Sequence, residues 1–223
     1  MFRKTVLVVA VFMMLLSSNV YAERFALGLK ASTLGVGVEA EGNVNDTVGG
    51  RIGFNYLTPQ NYSGELDDIE YEFDIESKNV LAVLDWHPFS GSFRLSAGAV
   101  FNDTSFDSTA KFSDSAEPVD IGGTEYAPAD IGNLKGDIEF NKVSPYIGLG
   151  WDTSIGKSNR FAFLSDIGVV FQGSPNIELS ADGPISTNAT FQKDLAQEEE
   201  DYQDDLNKFK YYPVIALGIG YRF

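Results

Sequence analysis

Cysteine is absent, histidine occurs once, and acidic residues outnumber basic ones two to one. Without cysteine the chain can build neither a disulfide scaffold nor a thiolate metal site. The lone histidine, His87, stands in the run His87, Pro88, Phe89, at an expected turn. It leaves little from which to assemble a His-dependent hydrolase, and no serine has a base at a spacing that would activate it. With 16 Lys and Arg against 32 Asp and Glu, net −16, nucleic acid and anionic inner-leaflet surfaces are poor partners. The paired glycines Gly35/Gly37 and Gly218/Gly220 sit in strand-like segments with no helix to follow, so they are no nucleotide loop. The sequence thus carries no catalytic set and no cofactor motif. Beyond the first 22 residues no apolar run reaches the roughly 20 residues of a spanning helix, so a membrane role would require closed β-structure.

The N-terminus reads as an export signal. Arg3 and Lys4 form a basic region, Val6 to Leu16 is apolar, and Val20, Tyr21 and Ala22 end it, making residues 1–22 a signal peptide and 23–223 one domain. Charge then falls into blocks. Residues 65–76, 103–139 and 178–205 hold 25 of the 32 acids and only Lys111, Lys135 and Lys193 as bases. Greasy, Gly-rich segments alternate with acidic ones.

The greasy segments have period two, as expected of strands with two unlike faces. In the last of them Tyr211, Pro213, Ile215, Leu217, Ile219, Tyr221 and Phe223 share one face. Residues 93–101, 143–151 and 161–171 repeat the pattern. The opposite face carries Gly, Ala, Ser and scattered charges, where a soluble sandwich would carry polar residues facing water. This fits lipid outside and a crowded lumen inside. Phe161 to Phe171 spans about 33 Å along a strand, or roughly 25 Å of height at the usual tilt. Trp86, Phe93, Trp151, Phe161 and Phe223 would form one aromatic girdle, and Tyr56, Phe101, Phe171 and Tyr211 the other.

Seven strands are expected near 34–43, 47–58, 69–86, 93–112, 136–152, 160–172 and 210–223. An eighth, 24–31, would join the first through a hairpin at Ser32 and Thr33, because side-chain parity flips there; a bulge in one long strand would flip it too. Another bulge is expected in 69–86, where the apolar phase changes after Ile75. Pro145 and Pro213 must sit at bulges or strand ends. Connections alternate between short (43–46, 87–92, 153–159) and long and acidic (59–68, 113–136, 173–209), which assigns the long ones to the outside. Phe191, Leu195, Tyr202, Leu206 and Phe209 recur at helical spacing, so 190–208 should be a helix in the last external loop.

On these features, the signal ending in Ala22, the alternating segments and the final Ile219, Tyr221 and Phe223, the chain resembles small eight-stranded Gram-negative outer-membrane proteins of the OmpA-barrel and OmpW-like kind. The resemblance implies an antiparallel up-and-down barrel surrounded by outer-membrane lipid and lipopolysaccharide. It also implies that Ile219, Tyr221 and Phe223 are read by the barrel-assembly machinery. It carries over no ligand or catalytic residue. By parity Lys30, Arg51, Arg94 and Lys142 point into the lumen with Glu39, Glu41, Asp85 and Asp166. Buried charges must pair, so these are either an internal ion-pair network or the lining of a narrow solute path. The acidic loops either keep the surface solvated or attract divalent cations, though no Asp-x-Asp-x-Asp-Gly loop is present. Two functions follow: a non-enzymatic barrel with a structural or surface-interaction role, or a narrow conduit for small solutes or apolar compounds.

Overall fold

A computed structural model of the chain describes residues 25–66, 69–113, 117–153 and 160–223. The expected signal peptide at 1–22 and most of the turn at 153–159 lie outside the described residues. Eight antiparallel strands form a ring: β1 (Phe25–Ser32), β2 (Gly35–Asn43), β3 (Val48–Leu66), β4 (Ile69–Trp86), β5 (Phe93–Phe112), β9 (Val143–Asp152), β10 (Phe161–Phe171) and β12 (Tyr211–Arg222). Their order is β5-β4-β3-β2-β1-β12-β10-β9, and β9 pairs back onto β5. The expected all-β, up-and-down architecture is therefore observed.

The hairpin between β1 and β2 turns at Thr33 and Leu34, one residue later than the parity flip suggested, and Ser32 pairs with Gly35. Pro145 and Pro213 are each the third residue of their strands. Pro145 lies just beyond the β9–β10 ladder, which begins at Tyr146. Pro213 precedes the β1–β12 ladder, which begins at Ala216. Both positions lose little for want of an N–H.

The bulge falls on a different strand from the one expected. β4 pairs with β5 in unbroken register from Ile69 to Trp86. The register shift is on β3, between Leu57 and Gln60, across the stretch holding Pro59. The phase change in β4 has another cause. Leu84 and Trp86 are exposed on the outer face, whereas Ile75 lines the mouth of the lumen. The apolar side changes from outer to inner face as the strand leaves the belt.

The exterior of the ring is apolar. Leu29, Val38, Ile52, Leu84, Ile147, Phe163, Ile167, Ile215 and Leu217 are all large and exposed. Around its lower edge Phe93 meets Trp151 edge-to-face with centroids 5.6 Å apart, and Phe161 meets Tyr221 in the same way at 5.3 Å. Phe171 and Tyr211 pair at 5.6 Å at the upper edge.

The expected long connection 59–68 is not one, since β3 runs to Leu66 and pairs with β4 from Ile69; above the ring the other two fold together. The expected strand 136–152 is broken at residues 140–142 into β8 (Asn133–Glu139) and β9; both pair with β5, β8 on its upper half. β11 (Asn176–Ala181) adds to β8. A hairpin, β6 (Val119–Ile121) with β7 (Thr124–Tyr126), and one helical turn, α1 (Pro128–Ile131), complete the first connection. The expected helix is α2 (Ala189–Leu206). Asn188 caps it: its side-chain oxygen accepts from the backbone N–H of Thr190 at 2.8 Å and of Phe191 at 3.3 Å. Phe191 and Leu195, one turn apart, are buried with Ile121 and Ile131 against Phe112, Leu134 and Leu179. Tyr202 and Phe209 remain exposed. Leu134 pairs with Ala110, and Ala110 and Phe112 share parity with Arg94 and Val100. The helix therefore packs on the side of the extended sheet that continues the lumen face. Gly122 makes this contact possible: its φ is +59°, and a Cβ there would strike the backbone of Asp194.

Candidate functional site

The interior of the ring has three levels, set by which alternate residues each strand turns inward. The lowest is charged. β1 supplies Lys30, β2 Glu39 and Glu41, β3 Arg51, β4 Asp85, β5 Arg94, β9 Asp152 and β10 Asp166, and all eight are buried.

Arg51 is the hub. Its Nε and Nη2 take both oxygens of Asp85, at 2.6 and 3.1 Å, in the bidentate manner that guanidinium geometry favours. Its Nη1 reaches Glu39 at 3.0 Å and Asp166 at 3.3 Å, and its Nη2 donates to Ser96 Oγ at 3.0 Å. Ser96 Oγ in turn donates to Asp85 at 2.5 Å. Lys30 bridges Glu39 at 2.8 Å and Asp166 at 2.5 Å. Arg94 Nη2 donates to Asp166 at 2.8 Å. Three cations thus converge on Asp166. Toward the lower edge Arg94 is held more loosely, with Nη1 3.8 Å from Glu41 and 3.7 Å from Asp152.

Of the residues assigned to the lumen by parity, the structure brings together Lys30, Glu39, Glu41, Arg51, Asp85, Arg94 and Asp166. Lys142 is a correction. It falls in the break between β8 and β9, is exposed, and takes no part. Asp152 is the member sequence reasoning missed. It continues the inward alternation of Tyr146, Gly148 and Gly150; the expected strand 136–152 includes it, but the alternating stretch 143–151 that defines the faces stops at Trp151. His87, expected as a turn residue, is fully buried. Its backbone N–H donates to Thr47 O at 2.7 Å, and neither ring nitrogen makes a hydrogen bond. Among the described residues, no three His, Asp or Glu side chains are arranged to hold a metal ion. Ile219 and Phe223 are exposed on the outer face, and Phe223 meets Tyr221 edge-to-face at 5.5 Å.

The middle level is apolar. Leu81, Val83, Val100, Tyr146, Val170 and Val214 form one buried cluster, with Leu34 and Tyr212 packed on it. Two glycines shape this level. A Cβ at Gly148 or Gly168 would run into the Tyr146 ring and its Oη, so the ring lies where two strands lack side chains. Gly150 and Gly218 likewise leave room for Asp166 and Lys30. At the junction of charged and apolar levels the free space is a cavity of about 20 Å³, lined by Lys30, Glu39, Leu81, Tyr146 and Asp166 among others. That volume accommodates about one water molecule.

The third level, at the end of the ring nearest the long connections, is a cup of about 240 Å³. The hairpin tip is tied beside it: Thr33 Oγ1 donates to Pro213 O at 2.9 Å, and Tyr212 Oη to Thr33 O at 2.6 Å.

No protein-family profile matches the chain, and no curated protein matches it in sequence. Solved structures that share its fold include two from one bacterium. CarO2 of Acinetobacter baumannii is 21% identical with a TM-score of 0.58, and CarO of the same organism is 20% identical with a TM-score of 0.55. Each match covers 90% of this chain and 98% of the other. At that identity the likeness speaks to the fold alone.

Proposed function

We propose that the chain is a Gram-negative outer-membrane barrel with a structural or surface-interaction role, closed through its centre and not an enzyme. The apolar belt supports the membrane location, since a soluble monomer rarely exposes so large a continuous apolar surface. The short turns at 43–48 and 87–92 then face the periplasm, and α2 with the β6–β7 hairpin faces outward. Lipid and lipopolysaccharide are the surroundings, and the barrel-assembly machinery is the partner during biogenesis.

The closed interior rests on one observation. The apolar level of Leu81, Val100, Tyr146, Val170 and Val214 lies directly on the ion-pair level, with about 20 Å³ of space at their junction. A hydrated ion crossing it would have to displace packed side chains. The purified, folded chain in a planar bilayer should show no stable single-channel steps, and Arg94→Ala should show none either. Reproducible conductance altered by Arg94→Ala would instead establish a channel. Under that second reading the five carboxylates of the lowest level, facing its three cations, would make the current cation-selective.

A further inference from the structure

We infer that the cup at the outer end of the barrel is a binding site for a small, uncharged molecule built on a single ring and carrying one oxygen function. This goes beyond a closed structural barrel, because the cup is sealed from the lumen by its own floor. Leu34, Val100, Val170 and Tyr212 form that floor, and three of them lie on the apolar level's own strands. Leu57, Ile75, Phe106 and Phe140 form the walls.

No lining residue is charged, although the chain is strongly acidic and an ion-pair level lies just beneath. A cation entering the cup would find no carboxylate, and an anion no base, so a charged ligand would pay for desolvation without a partner. A neutral ligand would not. Size narrows the class. An apolar cavity of about 150 Å³ takes benzene, so 240 Å³ leaves room for one ring with a short substituent.

The polar lining fixes which function it carries. Asn55 Nδ2 donates to Asn79 Oδ1 at 3.1 Å, and Asn79 Nδ2 to Ser77 Oγ at 3.3 Å. Ser77 and Thr104 share a 2.7 Å bond, and Thr104 Oγ1 donates to Asn102 Oδ1 at 2.6 Å. Thr104 has spent its proton on Asn102, so Ser77 donates to Thr104, and the chain of bonds runs one way. It ends at Asn102, leaving the Nδ2 hydrogens of that side chain for a ligand acceptor. Across the cup Gln172 is oriented by donating from Nε2 to Phe209 O at 2.9 Å, which leaves its Oε1 for a ligand donor. A phenol or an aromatic alcohol offers both an acceptor and a donor on an apolar ring.

The test uses the full-length folded chain in lipid nanodiscs, with 4-ethylphenol as the probe. Side-chain amide NMR signals of Asn102 and Gln172 should shift saturably. Benzoate and benzylamine should not shift them. Asn102→Ala should weaken 4-ethylphenol by roughly three- to tenfold while leaving ethylbenzene unchanged. Ser77→Leu and Thr104→Leu each fill the cup independently, and either, if folded, should abolish saturation. Non-saturating shifts, shifts confined to lipid-facing residues, equal binding of the charged probes, or saturation surviving both filled variants would overturn the assignment.

Discussion

Asp166→Asn isolates the pairing logic of the interior. Asp166 is the point where Lys30, Arg51 and Arg94 meet. The three do not depend on it equally. Lys30 keeps Glu39 at 2.8 Å, and Arg51 keeps its bidentate grip on Asp85. Arg94 loses the one carboxylate that lies within hydrogen-bond distance among the described residues and is left with Glu41 and Asp152 at 3.8 and 3.7 Å. Breaking a buried pair costs about 3–5 kcal/mol when the partner is stranded. Two more distant acids remain, so the expected loss is near the bottom of that range, about 3 kcal/mol. Glu41→Gln makes the contrast. It also removes a buried acid, but one whose nearest cation is 3.8 Å away, in a level where acids already exceed bases. Its expected effect is within about 1 kcal/mol of zero. Urea unfolding of both variants in lipid vesicles measures the difference, and for a slope of about 2 kcal/mol/M the Asp166→Asn midpoint should fall by about 1.5 M. Equal effects for the two, or a loss below about 1 kcal/mol for Asp166→Asn, would mean that geometry of pairing does not govern this interior.

Two further expectations concern packing and topology. Gly168→Val should destabilise by about 1–3 kcal/mol through its clash with Tyr146. In the Tyr146→Ala background the same change should cost less, a coupling that a double-mutant cycle in the same urea assay reads directly. Protease added to intact cells should cut within 113–136 or 173–209, the long connections, and cleavage at 87–92 instead would invert the assigned orientation.

The barrel was legible because each strand faces two solvents of different kinds. Period two is strongest in β9, β10 and β12, where lipid-facing Ile, Leu and Phe oppose Gly, Ala and Ser. Where both environments change along one strand the pattern misleads. β4 moves its apolar residues from outer to inner face above the belt, and that resembles a slipped register although none occurs in β4. Counting through 136–152 as one strand turns Lys142 inward. Parity cannot be carried across the break at 140–142. β11 is six residues inside an acidic loop, and it becomes a strand only because β8 offers an edge. Its alternation of Ile177, Leu179 and Ala181 is too short to stand out from the loop around it. The ion-pair level was predictable in kind but not in detail. Parity says which charges face inward, while only heights and angles decide that Arg51 takes Asp85 with both arms and that three cations share Asp166.

The uneven height of the wall also bears on access to the cup. β3, β4 and β5 run far above the apolar level, with β5 continuing twelve residues past Val100. At about 3.3 Å per residue this side rises well beyond the belt. The upper half of β5 is held by β8, which in turn holds β11, and α2 packs on the lumen-facing side of that extension. Across the ring, β1 and β2 stop at Thr33 and Leu34, and Leu34 itself reaches into the floor. One side of the cup is therefore a tall sheet, in which β4 and β5 are paired on both sides, roofed by a helix. The other is a two-residue hairpin tip fastened to β12 by four hydrogen bonds at Thr33: its N–H donates to Ile215 O and its Oγ1 to Pro213 O, while its Oγ1 and O accept from Ile215 N–H and Tyr212 Oη. The tall side opens only with the loss of many backbone bonds along β3, β4, β5 and β8, whereas the tip can tilt after losing the four bonds at Thr33. A molecule reaching the cup from outside meets least resistance over Thr33 and Leu34, on the side of the wall that is lowest and least tied.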